Sequence, residues 1–236
     1  MADGIYAALS GGISNLEILD VLSNNLANAD AIGFKEDRPL FAEVLRQRLP
    51  GVVDDSTQVA VRGMATDLRQ GALVRTGNPL DLALVGDGFF AVETAQGVRY
   101  TRRGDFRLGD RGRLQTAGGA AVLGQGGPIH VPPGALAIDE QGNLSVDGRL
   151  VDRLRIVDFP ASALGKEGEG LFVARERERA SAAQVLSGHL ERSNVSAVGA
   201  MTQMIAASRS FEIAMQAVQH HRQMDSRLIA DLGKGT

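Results

Sequence analysis

The chain contains no cysteine and no tryptophan, and only 2 of its 236 residues are tyrosine. The absence of cysteine excludes disulfide bonds, zinc sites built from thiolates, and cysteine nucleophiles. The scarcity of large aromatic side chains leaves little to stack on nucleic-acid bases, and a formal net charge of -3 lacks the basic excess that phosphate binding requires. We therefore expect no nucleic-acid partner.

Long apolar runs are also missing from the sequence. No stretch approaches the roughly 18 consecutive apolar residues that predict a membrane-spanning helix, so we expect no direct insertion into a membrane. The opening residues, MADGIYAALSGG, have no basic segment ahead of an apolar one, as a cleavable signal peptide would have. With 44% hydrophobic and 22% charged residues, the composition is typical of a soluble protein with ample material for a core.

The C-terminal stretch from Leu190 to Leu232 has the period of a helix. Steps of three and four residues place one stripe along it, comprising Val198, Met201, Ile205, Ser208, Phe211, Met215, Val218, Arg222, Asp225 and Ile229. Neither proline nor glycine occurs between Met201 and Leu232, and a helix of this length would span about 60 Å. Such a narrow apolar seam favours a partner helix, with packing on the chain's own domain as the alternative.

A second helical stripe lies at the opposite end of the chain. It comprises Ile5, Leu9, Ile13, Leu16, Leu19, Leu22 and Leu26. An interior glycine costs about 1 kcal/mol of helix stability against alanine, so Gly11 and Gly12 make this a poor helix in isolation. Small side chains let another helix approach closely, and we expect this segment to become helical when packed.

Between the helices, short apolar runs alternate with turn residues, which predicts strands. VDGR, at residues 146–149, is the best hairpin signal, because Asp-Gly suits a two-residue type I′ turn. We predict an α+β fold with a discontinuous coiled-coil-like helical domain from both termini and a β-rich antiparallel central domain. The expected divisions are an N-terminal helix and turn (1–35), an extended connector that includes a short helix from Phe41 to Leu49 (36–70), the β-rich domain (71–188) and a C-terminal helix packed on the first (189–236).

Three motifs resemble one known family, the bacterial flagellar axial proteins, which are the rod and hook subunits. They are NNLANADAIGFK near the start, TGNPLDLALVGDGFFAV with YTRRGDFRL in the middle, and LERSNVSAVGAMTQMIAASRSFE near the end. They occur in the family's order, and the resemblance covers nearly the whole chain apart from the connector. The sequence departs from the family pattern at Asp30-Ala31-Ile32, where a threonine is usual before Gly-Phe, and at Gly199-Ala200.

The resemblance implies a structural role without a cofactor. It implies a subunit of the flagellar basal-body rod, most similar to the proximal-rod subunits, that assembles helically in the periplasmic space and helps to transmit torque. The distal rod is the alternative place. The partners it implies are other flagellar rod proteins, copies of the chain itself and the flagellar type III export apparatus. That export route uses no cleaved signal peptide.

Two groups of residues are the candidate assembly sites, through packing and hydrogen bonding between subunits. The N-terminal turn supplies Asn24, Asn25, Asn28, Gly33 and Phe34, and the C-terminal region supplies Asn194, Met201, Ile205, Arg209, Phe211 and Glu212. The alternative interpretation is helix termination and packing within one subunit.

A function of another class would be cleavage of peptidoglycan, which requires a pair of carboxylates. Asp81, Asp87 and Asp105 are the candidates, but each adjoins a glycine, a proline or a strand end, where turn capping explains an aspartate. The glycines near Gly124 lack the spacing of a nucleotide-binding loop. His221 and Asp225, one helical turn apart, would supply only two metal ligands, so the sequence predicts no metal site.

Overall fold

The computed structural model describes residues 2–44 and 58–232. The predicted α+β class is confirmed: α1 (Ala2–Ala27) and α2 (Ala197–Leu232) enclose a run of antiparallel strands in the sequence. The chain divides into two compact units. Unit 1 holds α1, α2 and the chain between Asp37 and Ala65, and unit 2 holds Asn28–Glu36 and Thr66–Val195. Neither helix, over the part of the chain described, is both long and apolar enough to cross a membrane.

In unit 1, α1 and α2 contact each other. On α2 the buried residues Ala200, Ala207 and Val218 lie within about 20° of one another around the helix axis. The Phe211 ring lies beside Gly12, where an added β-carbon would meet it at 3.8 Å. The small residues of α1 therefore admit a large side chain of α2, as their sequence indicates.

The buried stripe of α2 differs from the predicted one over its first half. Val218 is buried as expected, but Val198, Met201 and Ile205 are 76%, 51% and 57% exposed. The cause is the size of the small residues: Ala200 and Ala207 occupy the side that packs, where a larger residue would separate the helices. Hydrophobicity alone therefore does not identify the side of this part of the helix that packs within the chain.

The connector contains two strands instead of a helix and coil. β1 (Asp37–Val44) pairs with β2 (Gln58–Thr66) in a two-stranded sheet. Phe41 and Val44, expected in a short helix, lie in β1, whereas Leu45 and Leu49 fall outside the described residues. The expected helix is wrong because pairing with a strand more than a dozen residues away overrides a weak local propensity.

Unit 2 contains the remaining strands. They are β3 (Leu73–Arg75), β4 (Leu82–Val85), β5 (Phe89–Thr94), β6 (Gly97–Thr101), β7 (Arg107–Leu108), β8 (Leu114–Gln115), β9 (Ala121–Val122), β10 (Leu136–Ile138), β11 (Asn143–Val146), β12 (Arg149–Arg153), β13 (Ile156–Asp158), β14 (Leu164–Lys166), β15 (Leu171–Ala174), β16 (Arg179–Ala180), β17 (Gln184–Ser187) and β18 (His189–Glu191). Short 3₁₀ turns occupy Asp110–Gly112 and Ala161–Ala163.

The largest sheet of unit 2 has the order β14-β15-β6-β5-β9-β8-β7, and β13 joins it by pairing with both β5 and β16. A three-stranded sheet, β10-β11-β12, and the pairs β17-β4 and β18-β3 complete the unit. Alternate residues of β5 enter two apolar clusters. Phe90 and Val92 belong to one that includes Leu82 and Leu144, and Phe89 belongs to another. Because successive side chains of a strand point to opposite faces, β5 makes apolar contacts on both of its faces.

The predicted VDGR hairpin is confirmed. Val146 pairs with Arg149 across the turn, and both central residues have positive φ, 50° at Asp147 and 78° at Gly148. Those values are the type I′ signature. Asp147 also accepts a hydrogen bond on Oδ1 from the Ala135 amide at 2.9 Å, which stabilises the turn.

The C-terminal helix begins at Ala197, eight residues after the expected boundary at residue 189. His189–Glu191 instead forms β18, which pairs with β3. The helix begins where it does because Ser196 acts as its N-cap, accepting a hydrogen bond on Oγ from the Gly199 amide at 3.2 Å. The strand before the cap places Glu191 inside unit 2.

Candidate assembly sites

At the end of α1, Asn25 is buried and holds the next strand of its own unit. Its Nδ2 donates to the Asp37 carbonyl at 2.7 Å, and its Oδ1 accepts from the Asp37 amide at 2.9 Å. An amide side chain is the one neutral group that can complete both backbone bonds in this geometry. Asn25 therefore acts within the chain. Asn24, its neighbour, is exposed.

The turn after α1 lies in unit 2, and Gly33 is its tightest point. Gly33 has φ of 65° and donates its amide to the Glu191 carbonyl at 2.7 Å. A β-carbon there would lie 2.6 Å from the Arg102 carbonyl carbon, so no other residue fits. The Asn28 carbonyl accepts a hydrogen bond from the Ala31 amide at 3.1 Å, which closes the start of the turn.

Phe34 follows the turn and is 7% exposed. The Lys166 ammonium lies 3.7 Å from the centre of its ring, a cation–π contact. Lys166 Nζ also donates to the Lys35 carbonyl at 2.9 Å. Phe34 is therefore a packing residue of unit 2.

Asn194 joins separate segments of unit 2 through its side-chain amide. Its Oδ1 accepts from the Glu36 amide at 2.8 Å, and its Nδ2 donates to the carbonyls of Asp67 at 2.8 Å and Arg69 at 3.0 Å. The candidate role was hydrogen bonding between subunits. These donor and acceptor atoms are already engaged within one chain, so the intramolecular alternative describes Asn194.

Beside Asn194 lies a buried ionic cluster that sequence reasoning missed. Lys35 Nζ lies 2.6 Å from Glu191 Oε1, and both side chains are 0% exposed. Arg102 Nη1 lies 3.3 Å from Glu191 Oε2. Burial lowers the pKa of Lys35 and of Arg102, against the opposing attraction of Glu191. The sequence did contain a signal for this contact. The N-terminal motif ends in a lysine (GFK), and the C-terminal motif has a glutamate as its second residue (LERSNV), so the two motifs contain residues of opposite charge.

The candidate residues on α2 have a different character, because several lie on its exposed side. Val198, Ile205 and Arg209 project within about 40° of one another, roughly opposite the buried alanines. Met201 and Ile213 flank them, with Ile213 66% exposed. We call Val198, Met201, Ile205, Arg209, Glu212 and Ile213 the outer face of α2. Phe211 projects from the other side and is half-buried.

Two of the aspartates considered for catalysis, Asp81 and Asp105, bind neighbouring side chains. Asp81 Oδ1 accepts from Asn78 Nδ2 at 2.9 Å, closing the turn before β4. Asp105 binds Arg103 through two hydrogen bonds of 3.1 and 2.8 Å. At Asp87 the backbone carbonyl accepts the Ser181 hydroxyl at 2.6 Å. The side chains of His221 and Asp225 lie outside the described set.

Comparison with known proteins finds three family matches along the chain. Residues 5–35 match the family described as flagella basal body rod protein, and residues 83–146 match the flagellar hook protein FlgE/F/G D1 domain. Residues 186–231 match the flagellar basal body rod FlgEFG protein C-terminal family. The first and last matches contain the Lys35 and Glu191 that meet in the buried cluster.

Full-length relatives decide the family. The flagellar basal-body rod protein FlgF of Caulobacter vibrioides is 31% identical over 99% of both chains. The chain belongs to the flagellar basal-body rod protein family. FlgF of Salmonella typhimurium is 34% identical over 92% of this chain and 93% of its own, and FlgG of Bacillus subtilis is 32% identical over 90% and 92%. This is a family of structural proteins and not of enzymes, so peptidoglycan cleavage is set aside.

Proposed function

We propose that the chain is a proximal-rod subunit of the flagellar basal body, in the periplasmic space, exported without a cleaved signal peptide. Its likeness to FlgF over nearly the full length supports this place. A distal-rod position is the alternative, because a FlgG protein is 32% identical. The proposed partners are neighbouring rod proteins, further copies of this chain and the type III export apparatus.

The observation that carries an assembly function is the outer face of α2. Four large apolar side chains lie exposed on this one helix, whose opposite side already packs in unit 1. Full burial of such a side chain contributes about 1.5–3 kcal/mol of favourable free energy. Burial of several half-exposed ones would therefore stabilise an association substantially. Arg209 and Glu212 add charges of both signs that a neighbouring subunit could pair.

In this proposal α1 and α2 form a coiled-coil-like pair that meets the equivalent pairs of neighbouring subunits. Contacts repeated from copy to copy without closing into a ring produce a helical filament. Unit 2, with its own apolar clusters, then keeps its fold while the helices carry the contacts along the rod. Torque passes from subunit to subunit through those contacts.

The test is Ile205→Asp in motile cells, with Leu150→Asp as the matched control. Ile205 is 57% exposed and Leu150 is 70% exposed, but Leu150 belongs to β12 of unit 2 and not to the outer face of α2. Both variants should fold, since each side chain is already in water. We expect Ile205→Asp to be lost from purified basal bodies and to abolish swimming, because association would bury an unpaired carboxylate. Normal incorporation of Ile205→Asp would refute the interface.

Imaging of basal bodies that carry a tagged chain separates the two positions in the rod. A tag near the base of the rod supports the proximal assignment, and a tag along its outer length supports the distal one.

A further inference from the structure

Three segments of unit 2 meet at Glu191, and each adjoins a point where the chain passes to or from unit 1. We call residues 28–36, 66–71 and 189–195 the clasp. Glu191 Oε1 accepts hydrogen bonds from Lys35 Nζ at 2.6 Å and from the Gly71 amide at 2.8 Å. The chain enters unit 1 after Glu36 and Val195 and returns at Thr66.

The clasp is held together mainly by polar contacts. Lys35 Nζ also donates to the Arg69 carbonyl at 2.7 Å, and Asn194 bonds to both of the other segments. Within the described chain, neither apolar cluster of unit 2 has a buried member in 28–36 or 189–195. Leu68, in the third segment, packs against the cluster that contains Phe89. Residues 28–36 and 189–195 can therefore separate without exposing the buried members of either cluster to water.

The buried charges of the clasp and its neighbour Arg102 do not balance. Two buried cations, Lys35 and Arg102, share the single carboxylate of Glu191, and Arg102 Nε is buried without a hydrogen-bond partner among the described residues. Removing the carboxylate leaves both buried cations without their ion-pair partner. Removing Lys35 leaves a neutral pair.

We propose that the clasp opens and closes as one cooperative element, separately from the rest of unit 2, and that Glu191 holds it closed. Closure fixes the points at which the chain leaves unit 2 for the helices. Opening frees the segments at these points while the apolar clusters of unit 2 stay folded. This inference concerns the folded chain alone and does not depend on assembly into a rod.

The test is amide hydrogen exchange on the full-length chain. The amides of Gly33, Asp67, Gly71 and Arg192 report on the clasp, because each donates to an acceptor in the clasp or beside it. The amides of Ala91, Leu114 and Leu123 report on the body of unit 2. In the wild type, the four clasp amides should share one opening constant, larger than that of the three body amides.

Glu191→Gln should speed exchange of the clasp amides about a hundredfold or more, since loss of one partner leaves buried charge unpaired, and should leave the body amides unchanged. Lys35→Met should speed exchange of the clasp amides much less, because Arg102 still pairs with Glu191. Glu178→Gln is the matched control: it breaks the half-exposed Arg155–Glu178 pair and should leave the clasp amides unchanged.

Equal acceleration of body and clasp amides in Glu191→Gln would overturn the proposal, because the cluster would then belong to the whole unit. So would a Lys35→Met variant as damaging as Glu191→Gln, because charge balance would not be the cause. If Glu191→Gln yields no folded protein, the wild-type profile decides: a single opening constant for all seven amides refutes a separate clasp.

Discussion

The two units differ in where they leave their large apolar side chains. Unit 2 encloses most of them, and its exposed ones lie singly on five strands, at Val74, Val85, Val98, Leu108 and Leu150. On α2 of unit 1, four lie exposed on a single helix. Single exposed residues are normal on any protein surface, whereas a concentration on one element indicates a binding surface. Unit 2 thus packs its apolar side chains within one chain, whereas in the proposed assembly other subunits cover the outer face of α2.

Buried charge shows the same contrast. Unit 2 buries Lys35, Arg102 and Glu191, whereas among the side chains described in unit 1 no charged one is buried. A buried ionic network requires fixed geometry, because every group in it needs its partner. Unit 2 can meet that demand within one chain. Unit 1 packs through small apolar residues such as Ala200 and Ala207, whose contacts tolerate small adjustments.

The largest effect on stability is expected from a substitution at the centre of unit 2, where apolar side chains are fully enclosed. Phe90 is 0% exposed, and Phe90→Ala should destabilise unit 2 by about 3–5 kcal/mol through lost burial and the cavity left behind. Denaturant unfolding monitored through the amides of Ala91 and Leu123 would measure the loss. Val98→Ala, at an exposed site on the neighbouring β6, should cost less than about 1 kcal/mol. Similar losses in both variants would contradict a closed core.

A smaller effect is expected inside the helix pair. Val218 is buried on α2, and Val218→Ala removes two methyl groups, at a cost of about 1–2 kcal/mol to helix pairing. Ile213→Ala, on the outer face, should leave the isolated chain unchanged and weaken only its association. Circular dichroism of the dilute chain and sedimentation of the concentrated chain separate these outcomes. Equal thermal destabilisation by both substitutions would show that the outer face already packs within one chain.

The smallest expected effect is electrostatic and lies on the surface of unit 2. Hydrogen bonds from Asn143 lower the pKa of Asp139 below its ordinary value of 3.8, the side-chain bond contributing most. A folded-state pKa below the unfolded one stabilises the fold above pH about 3.8, and this contribution is lost as pH falls through the folded-state value. Asn143→Ala should raise the Asp139 pKa in an NMR titration. An unchanged titration curve would show that the side-chain bond from Asn143 does not lower the pKa of Asp139.

Features encoded within a few residues were predictable. Asp147-Gly148 specifies its own turn, and the periods at both ends specify helices. Features that depend on distant partners were not. The pairing of β1 with β2, the buried contact between Lys35 and Glu191, and the three-way bonding of Asn194 all join residues far apart in the sequence.

The candidate assembly residues also divide into those that the local sequence identifies and those whose role depends on distant partners. Periodicity identified Met201 and Ile205 as apolar positions of α2, but it could not show which side of the helix packs, because Ala200 and Ala207 do not stand out in a hydropathy pattern. Asn194 was selected as a polar residue near a helix start. Its partners, Glu36 and Asp67, lie more than 120 residues away, so only the folded chain shows that its hydrogen bonds are internal.

The type I′ turn at Asp147-Gly148 gives experimental access to unit 2. The next residue, Arg149, is exposed and makes no side-chain hydrogen bond in the described structure, whereas Asp147 is needed to hold the turn. Because the chain has no cysteine of its own, Arg149→Cys creates a single thiol for a fluorescent or spin label. A label there is carried by the first residue of β12, directly after a two-residue turn, so its orientation follows that of unit 2. Polarised emission from labelled flagellar bases would then report how this unit turns while the motor runs.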